Sequence, residues 1–240
     1  MNLGPDRGRR VLSRAALAVA VALLAGCAAA PSRDDPFEPM NRALYQFHDT
    51  VDTAVVKPVA QAYIDVVPQP IRTGVSNVFN NIEDLISALN GLLQGKLDKF
   101  SDDLGRVVLN TAFGVGGIFD LASMVGIERG NEDFGQTFGA WGLPQGPYLF
   151  VPFFGPTTVR DGSGAIVRIM VGPVGYIGEV PVRNSLYGLG AIDLRAQALS
   201  AGAIVDTAAL DRYLFIRNAY LQRRQYLLYD GKPPPEPEEP

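Results

Sequence analysis

The chain has 240 residues, 47% of them hydrophobic and 19% charged, with 21 basic and 25 acidic side chains, one histidine and one cysteine. A formal net charge of −4 argues against nucleic acid as a partner. The lone cysteine forbids an intrachain disulfide, and with a single histidine it also argues against a transition-metal site.

Residues 1–26 read as a lipoprotein signal peptide. Arg7, Arg9, Arg10 and Arg14 make a basic start, and Ala15 to Leu24 an apolar run of roughly ten residues, too short to span a bilayer. Leu24-Ala25-Gly26-Cys27 then has the small-residue spacing of a bacterial lipobox. Cys27 becomes the acylation site, bearing palmitate-type chains, and the mature protein begins there, exported and lipid-anchored. Ala28 follows in place of an aspartate, which by enterobacterial rules favours delivery to the outer membrane. Later in the chain no stretch reaches the roughly eighteen uninterrupted apolar residues of a transmembrane helix.

Residues 27–36 form an acylated tether, 37–231 a helical domain, and 232–240 a Pro/Glu tail whose composition predicts disorder. From Met40 to Val67 apolar residues recur every three or four positions, which predicts one amphipathic helix kinked at Pro58 or two helices meeting there. Pro68-Gln69-Pro70 marks a boundary. Ile71 to Leu93 carries the cleanest helical stripe, with Asn80, Asn81, Glu83 and Asp84 turned away from it and Gly95 at its end. A third helical stretch holds Leu97, Phe100, Leu104, Val107 and Val108 and stops near Gly114 to Gly117; Ile118 to Val125 reads as one short helix.

From Gly126 to Gly164 glycine, proline and aromatic residues predict an apolar, irregular segment, and Pro152 argues against a central strand. No sheet is expected at the core. Thr157-Thr158 can cap a following helix. Helices are predicted over 183–203 and 206–229, the second with Tyr213, Leu214, Arg217 and Leu221 near one stripe and Arg223-Arg224 on the other side. Gly231 closes it.

Motifs for catalysis are weak. His48 has no nucleophile context and reads as a structural histidine. Asp161-Gly162-Ser163-Gly164 lacks the first glycine of a nucleophile elbow, and the paired glycines at 114/116 and 188/190 lack the third glycine of a dinucleotide loop. Asp102-Asp103 and Glu132-Asp133 suit solvation or helix capping better than acid–base work. Gly135/Gly139 can bring backbones close, whereas Gly142/Gly146 suit turns. Trp141 and Tyr148 fit either a headgroup-level aromatic belt or an ordinary core.

One ordered set of motifs is more specific. Asp35-Pro36-Phe37-Glu38 with Asn41-Arg42-Ala43, then Glu132 to Thr137, Trp141-Gly142, Gly146-Pro147-Tyr148, and Pro152-Phe153-Phe154-Gly155-Pro156 with Arg160-Asp161, closely resemble the MlaA (VacJ) family of outer-membrane lipoproteins. The resemblance runs from the lipobox to about Asp230. Met40 stands where that family often has an aromatic, and the Pro/Glu tail lies outside the pattern.

The resemblance implies an all-α, ring-like bundle of amphipathic helices, with an irregular Gly/Pro-rich segment, embedded in one leaflet of the outer membrane around an amphipathic channel. It implies a protein that takes mislocalised phospholipid from the outer leaflet and passes it to a soluble, MlaC-like periplasmic carrier, maintaining lipid asymmetry without a cofactor or bond cleavage. Trimeric porin is the further partner implied. Candidate channel or partner-contact residues are then Asn41, Arg42, Asp133, Phe134, Gly135, Gln136, Trp141, Gly146, Pro147, Tyr148, Pro152, Gly155, Pro156, Arg160 and Asp161. Two other classes compete: a structural, porin-scaffolding envelope lipoprotein that binds no lipid, and a lipid-anchored periplasmic hydrolase, for which no nucleophile–base pair is visible.

Overall fold

The structure, a computed structural model, describes residues 35–234. The expected signal peptide, Cys27 and the expected tether through residue 34 lie outside the described residues, as does the tail from residue 235.

The all-α class holds. Helix α1 (Glu38–Val51) runs through a π-helical turn (Asp52–Val56) directly into α2 (Lys57–Val66). Pro58 therefore neither breaks the helix nor ends it. It occupies the first turn of α2, and the widened turn before it accommodates a ring that lacks an N–H. Helix α3 (Gln69–Leu93) opens with Pro70 in its first turn and closes at Gly95, whose φ is +74°. The chain then folds α4 (Leu97–Ala112) against α3, where a Cβ at Gly91 would lie 3.1 Å from the Phe100 nitrogen. Helix α5 (Leu121–Met124) is a single turn, shorter than the 118–125 expected, because Asp120 caps it and Gly126 turns the chain away.

The segment expected to be irregular holds two short elements. One is α6 (Phe134–Ala140), and the other is an antiparallel hairpin of β1 (Tyr148–Val151) and β2 (Gly155–Thr158), with Tyr148 opposite Thr158 and Val151 opposite Gly155. Pro152 falls in the turn and removes no ladder bond. The expectation of a core without sheet fails here: Tyr148 and Phe150 point from β1 into the main hydrophobic cluster, beside Tyr45 and Tyr213. Thr158 then caps α7 (Val159–Val171), its hydroxyl accepting the Asp161 N–H at 3.2 Å. A 3₁₀ turn (Pro173–Tyr176), α8 (Val180–Ala208) and α9 (Arg212–Leu228) complete the chain, and Gly231 turns it at φ +81°. Contacts form a closed circuit: α3 packs on α8, α8 meets α9, α9 lies on α6, and α6 returns to α3.

Burial is reversed relative to a water-soluble bundle. Among the described residues, buried polar and charged side chains outnumber buried hydrophobic ones. On α3 the inward face carries Asp84, Ser87, Asn90 and Gly91 with Ile86 and Ala88. Leu85, Leu89, Leu92 and Leu93 are 38–47% exposed. Spacing alone turns Asp84 outward; the structure buries it between Arg106, at 3.0 Å, and Arg129, at 2.6 Å. Arg224 is likewise buried, although it lies on the side of its helix opposite the apolar stripe. Periodicity identifies a helix and its two faces, but the apolar face meets protein only if protein is what covers it. No helix of the described residues is long and apolar enough to cross a membrane.

Candidate functional site

The motif residues assemble into two polar locks. In the first, Asp133 caps α6, its Oδ1 accepting the Gln136 N–H at 2.8 Å. Arg224 from α9 donates through Nη2 to Asp133 Oδ1 and to Asp161 Oδ1, each at 3.0 Å. Arg160 donates to the same Asp161 oxygen at 3.2 Å, and the Tyr220 hydroxyl donates to Asp161 Oδ2 at 2.8 Å. Burial alone would raise the Asp133 carboxyl, yet the Arg224 guanidinium holds it below its ordinary value. Burial, with Asp161 beside it, pushes the Tyr220 phenol up and keeps it a donor.

Glycine makes this lock possible. A Cβ at Gly164 would lie 2.4 Å from the Gly135 nitrogen, and one at Gly135 would lie 2.5 Å from Asp161 Oδ1. The Gly135/Gly139 pair thus allows close approach of α6 to α7 and α9, while Gly142 and Gly146, at φ +89° and +70°, are turns.

The second lock docks the hairpin. Asn41 Oδ1 accepts the Phe150 N–H at 3.0 Å, and Nδ2 donates to the Tyr148 carbonyl at 3.1 Å and to Asp35 Oδ1 at 2.8 Å. Its amide thus pairs with β1 as a neighbouring strand would. Arg42 donates to Glu38 at 2.7 Å and to Asp211 at 2.8 Å, with its guanidinium 4.6 Å from the Tyr213 ring centre. The Pro147 carbonyl accepts the Val159 N–H at 3.2 Å. His48 Nδ1 accepts the Phe153 N–H at 3.2 Å, the structural role its sequence context suggests.

The two aromatic candidates part company. Tyr148 is completely buried and belongs to the core, so the headgroup-belt reading does not apply to it. Trp141 is 56% exposed, and its Nε1–H donates to the Leu93 carbonyl at 3.1 Å. Phe134 and Gln136 are buried in α6, with Gln136 Nε2 donating to the Asn131 carbonyl. Pro152, Gly155 and Pro156 shape a hairpin tip that leaves Phe153 and Phe154 exposed. Apart from Trp141, this tip and the Gly146 turn, the nominated side chains are buried or spend their polar groups on other residues of the fold, as Arg42 does on Glu38 and Asp211.

Sequence motifs miss a cleft between α2, α3 and α8. It has a volume of ≈ 260 Å³ and is lined by Tyr63, Gln69, Arg72, Thr73, Ser76, Asp193, Ala196 and Gln197. Asp193 is 3% exposed. Its carboxylate accepts from the Ser76 hydroxyl at 2.9 and 3.0 Å, from Gln197 Nε2 at 2.7 Å and from the Tyr63 hydroxyl at 3.3 Å. A larger hollow of ≈ 560 Å³, walled by Pro70, Ile118, Phe119, Leu121 and Met124, shares Gln69 and Thr73 with it. A polar hollow adjoining an apolar one matches the two-part chemistry of an amphiphile. The only signal in the sequence is the four-residue spacing of Arg72 with Ser76 and of Asp193 with Gln197, which places each pair on one helical face.

Comparison with known proteins agrees with the motif reading. The family model described as MlaA lipoprotein matches residues 33–227. The chain is 34% identical over 233 residues to the intermembrane phospholipid transport system lipoprotein MlaA of Escherichia coli (strain K12), spanning 94% of this chain and 92% of that one. The protein of the same name from Shigella flexneri is similar to the same extent. A solved structure reported under "Structural basis for maintenance of bacterial outer membrane lipid asymmetry" matches with a TM-score of 0.72 at 32% identity, covering 82% of this chain and 100% of the other.

Proposed function

We propose that this chain, which belongs to the MlaA lipoprotein family, moves phospholipid between membranes and thereby maintains the lipid asymmetry of the outer membrane. The reversed burial carries this reading. Large side chains such as Leu92, Phe113, Phe119, Met124 and Met170 are exposed while Asp84, Asn90, Arg106 and Asp193 are buried. Leaving such a surface in water costs about 25 cal/mol for each Å² of apolar area, a cost that acyl chains remove. On this reading the helices lie in one leaflet, the periplasmic one, anchored through an acylated Cys27, and the polar cleft gives headgroups a path that avoids the apolar exterior.

Lipid moves by differential affinity along that path, with no bond broken, so the protein is a carrier and not an enzyme. The two locks fix α6, α7, α9 and the hairpin to one another, and α6 and α9 in turn pack on α3 and α8, which line the cleft. Lipid leaves on the periplasmic side to a soluble, MlaC-like carrier. The hairpin tip, with Phe153 and Phe154, is the surface offered to trimeric porin at the leaflet. Quantifying outer-leaflet phospholipid in a deletion strain tests the reading: phospholipid should accumulate there and the cells should become sensitive to detergent and chelator. Unchanged asymmetry in the deletion would overturn it.

A further inference from the structure

Asp193 and Arg72 line the same cleft yet neutralise neither each other nor another group. The donors to Asp193, namely Tyr63, Ser76 and Gln197, are all uncharged, and it forms no ion pair among the described residues. Asp84, Asp133 and Asp161, by contrast, each meet an arginine. Arg72 turns Nε to the Val67 carbonyl at 2.9 Å, and its remaining guanidinium nitrogens have no hydrogen-bond partner among the described residues. These neutral donors offset part of the desolvation cost of the buried carboxylate but leave its charge uncompensated, so a cationic ligand would gain a charge–charge attraction there.

We propose that this cleft is a headgroup subsite for a phosphate ester that carries a primary ammonium, with Arg72 taking the phosphate and Asp193 the ammonium. The inference rests on the transport reading and deepens it by naming the preferred cargo as a zwitterionic amino-phospholipid. A guanidinium presents paired donors to phosphate oxygens, and a buried carboxylate accepts the N–H groups of an ammonium in charge-assisted bonds. An anionic glycerol headgroup offers Asp193 no cation and brings a second negative charge towards it. The apolar hollow that shares Gln69 and Thr73 with the cleft suits the glycerol and proximal acyl carbons of the same molecule.

The test uses the full-length acylated protein, incubated with vesicles of equal parts phosphatidylethanolamine and phosphatidylglycerol, then re-isolated and its bound lipid identified by mass spectrometry. Wild type should hold phosphatidylethanolamine in excess of about fivefold, the order expected of one charge-assisted contact. Asp193→Asn should bring the two lipids to parity with total lipid retained, Asp193→Glu should restore the excess, and Arg72→Gln should lower both lipids. Circular dichroism confirms that each variant keeps its helices. Free glycerophosphoethanolamine, added as competitor, should not displace bound lipid; complete displacement would identify the soluble headgroup as the ligand and overturn the lipid assignment. A persistent phosphatidylethanolamine excess in Asp193→Asn, or none in wild type, would overturn the subsite while leaving phospholipid transport standing. Absence of lipid from every protein would overturn both.

Discussion

Arg224 on α9 reaches Asp161 on α7 at 3.0 Å, both side chains buried, across 63 residues of sequence. Because the same guanidinium also bonds Asp133 at the start of α6, one side chain ties three elements together. Arg224→Ala should therefore cost about 3–5 kcal/mol by leaving two carboxylates facing an empty site. Arg224→Lys should rescue little, since an ammonium cannot bridge both acids with the planar fork of a guanidinium. Thermal melting in mild detergent and steady-state protein level provide the measure, and wild-type stability of Arg224→Ala would refute the lock.

Gly164 and Gly188 predict opposite outcomes for the same change. A Cβ at Gly164 would sit 2.4 Å from the Gly135 backbone nitrogen, which has nowhere to move, whereas nothing lies within 4 Å of one at Gly188 in α8. Gly164→Ala should sharply reduce the folded protein. Gly188→Ala should raise stability by up to about 1 kcal/mol through helix propensity. Melting curves of the two variants decide it, and equal behaviour would contradict the packing described.

Acid sensitivity should reveal Asp120. Burial alone would raise its pKa, but the Ser123 hydroxyl and N–H, the Asn110 amide and Arg106 together lower it from 3.8 to about 2. A folded value below the unfolded one adds stability that is fully present above the unfolded pKa and is lost as pH falls through the folded one. Because Asp120 is partly exposed, solvent screening reduces the contribution to about 1 kcal/mol at neutral pH. The stability gap between wild type and Asp120→Asn should be constant down to about pH 4 and close towards about pH 2. A gap independent of pH over that interval would refute this role.

Leu85 and Ile86 are neighbours with opposite surroundings, the first 42% exposed and the second 5%. Ile86→Ala should cost about 2–4 kcal/mol of folding stability, Leu85→Ala less than about 1 kcal/mol. Leu85→Asp combined with Leu89→Asp should instead weaken vesicle binding of the protein carrying Cys27→Ala, in which no acyl chain masks the contribution of the helix. Sedimentation with vesicles measures the second effect, and undiminished binding would place this face away from lipid.

Helix α3 was legible because it is long, opens with Pro70, ends at Gly95 and keeps its stripe for 25 residues. Which face turns inward was not legible. The same periodicity describes a helix packed on protein and one packed on lipid, so Asp84 and Leu85 exchanged places. The hairpin was hidden by Pro152 and Pro156, yet Tyr148 and Phe150 do alternate with exposed or half-buried neighbours as a two-residue period requires. Helix α6 is seven residues long with two glycines, too short for periodicity to register. Of the candidate site, Asn41, Asp133, Gly135, Arg160 and Asp161 were found by motif, but Arg224 read only as a basic residue opposite the apolar stripe and Asp193 belonged to no motif.

Trp141 offers the most direct measurement of the central claim, that an apolar exterior rests against acyl chains around a polar interior. It is the chain's only tryptophan, exposed, and bonded to the Leu93 carbonyl beside the exposed Leu92 and Leu93. Full-length protein reconstituted into vesicles should show fluorescence strongly quenched by lipids brominated high on the acyl chain and shielded from aqueous iodide. Efficient quenching by iodide, with brominated lipid leaving the emission unchanged, would contradict the claim.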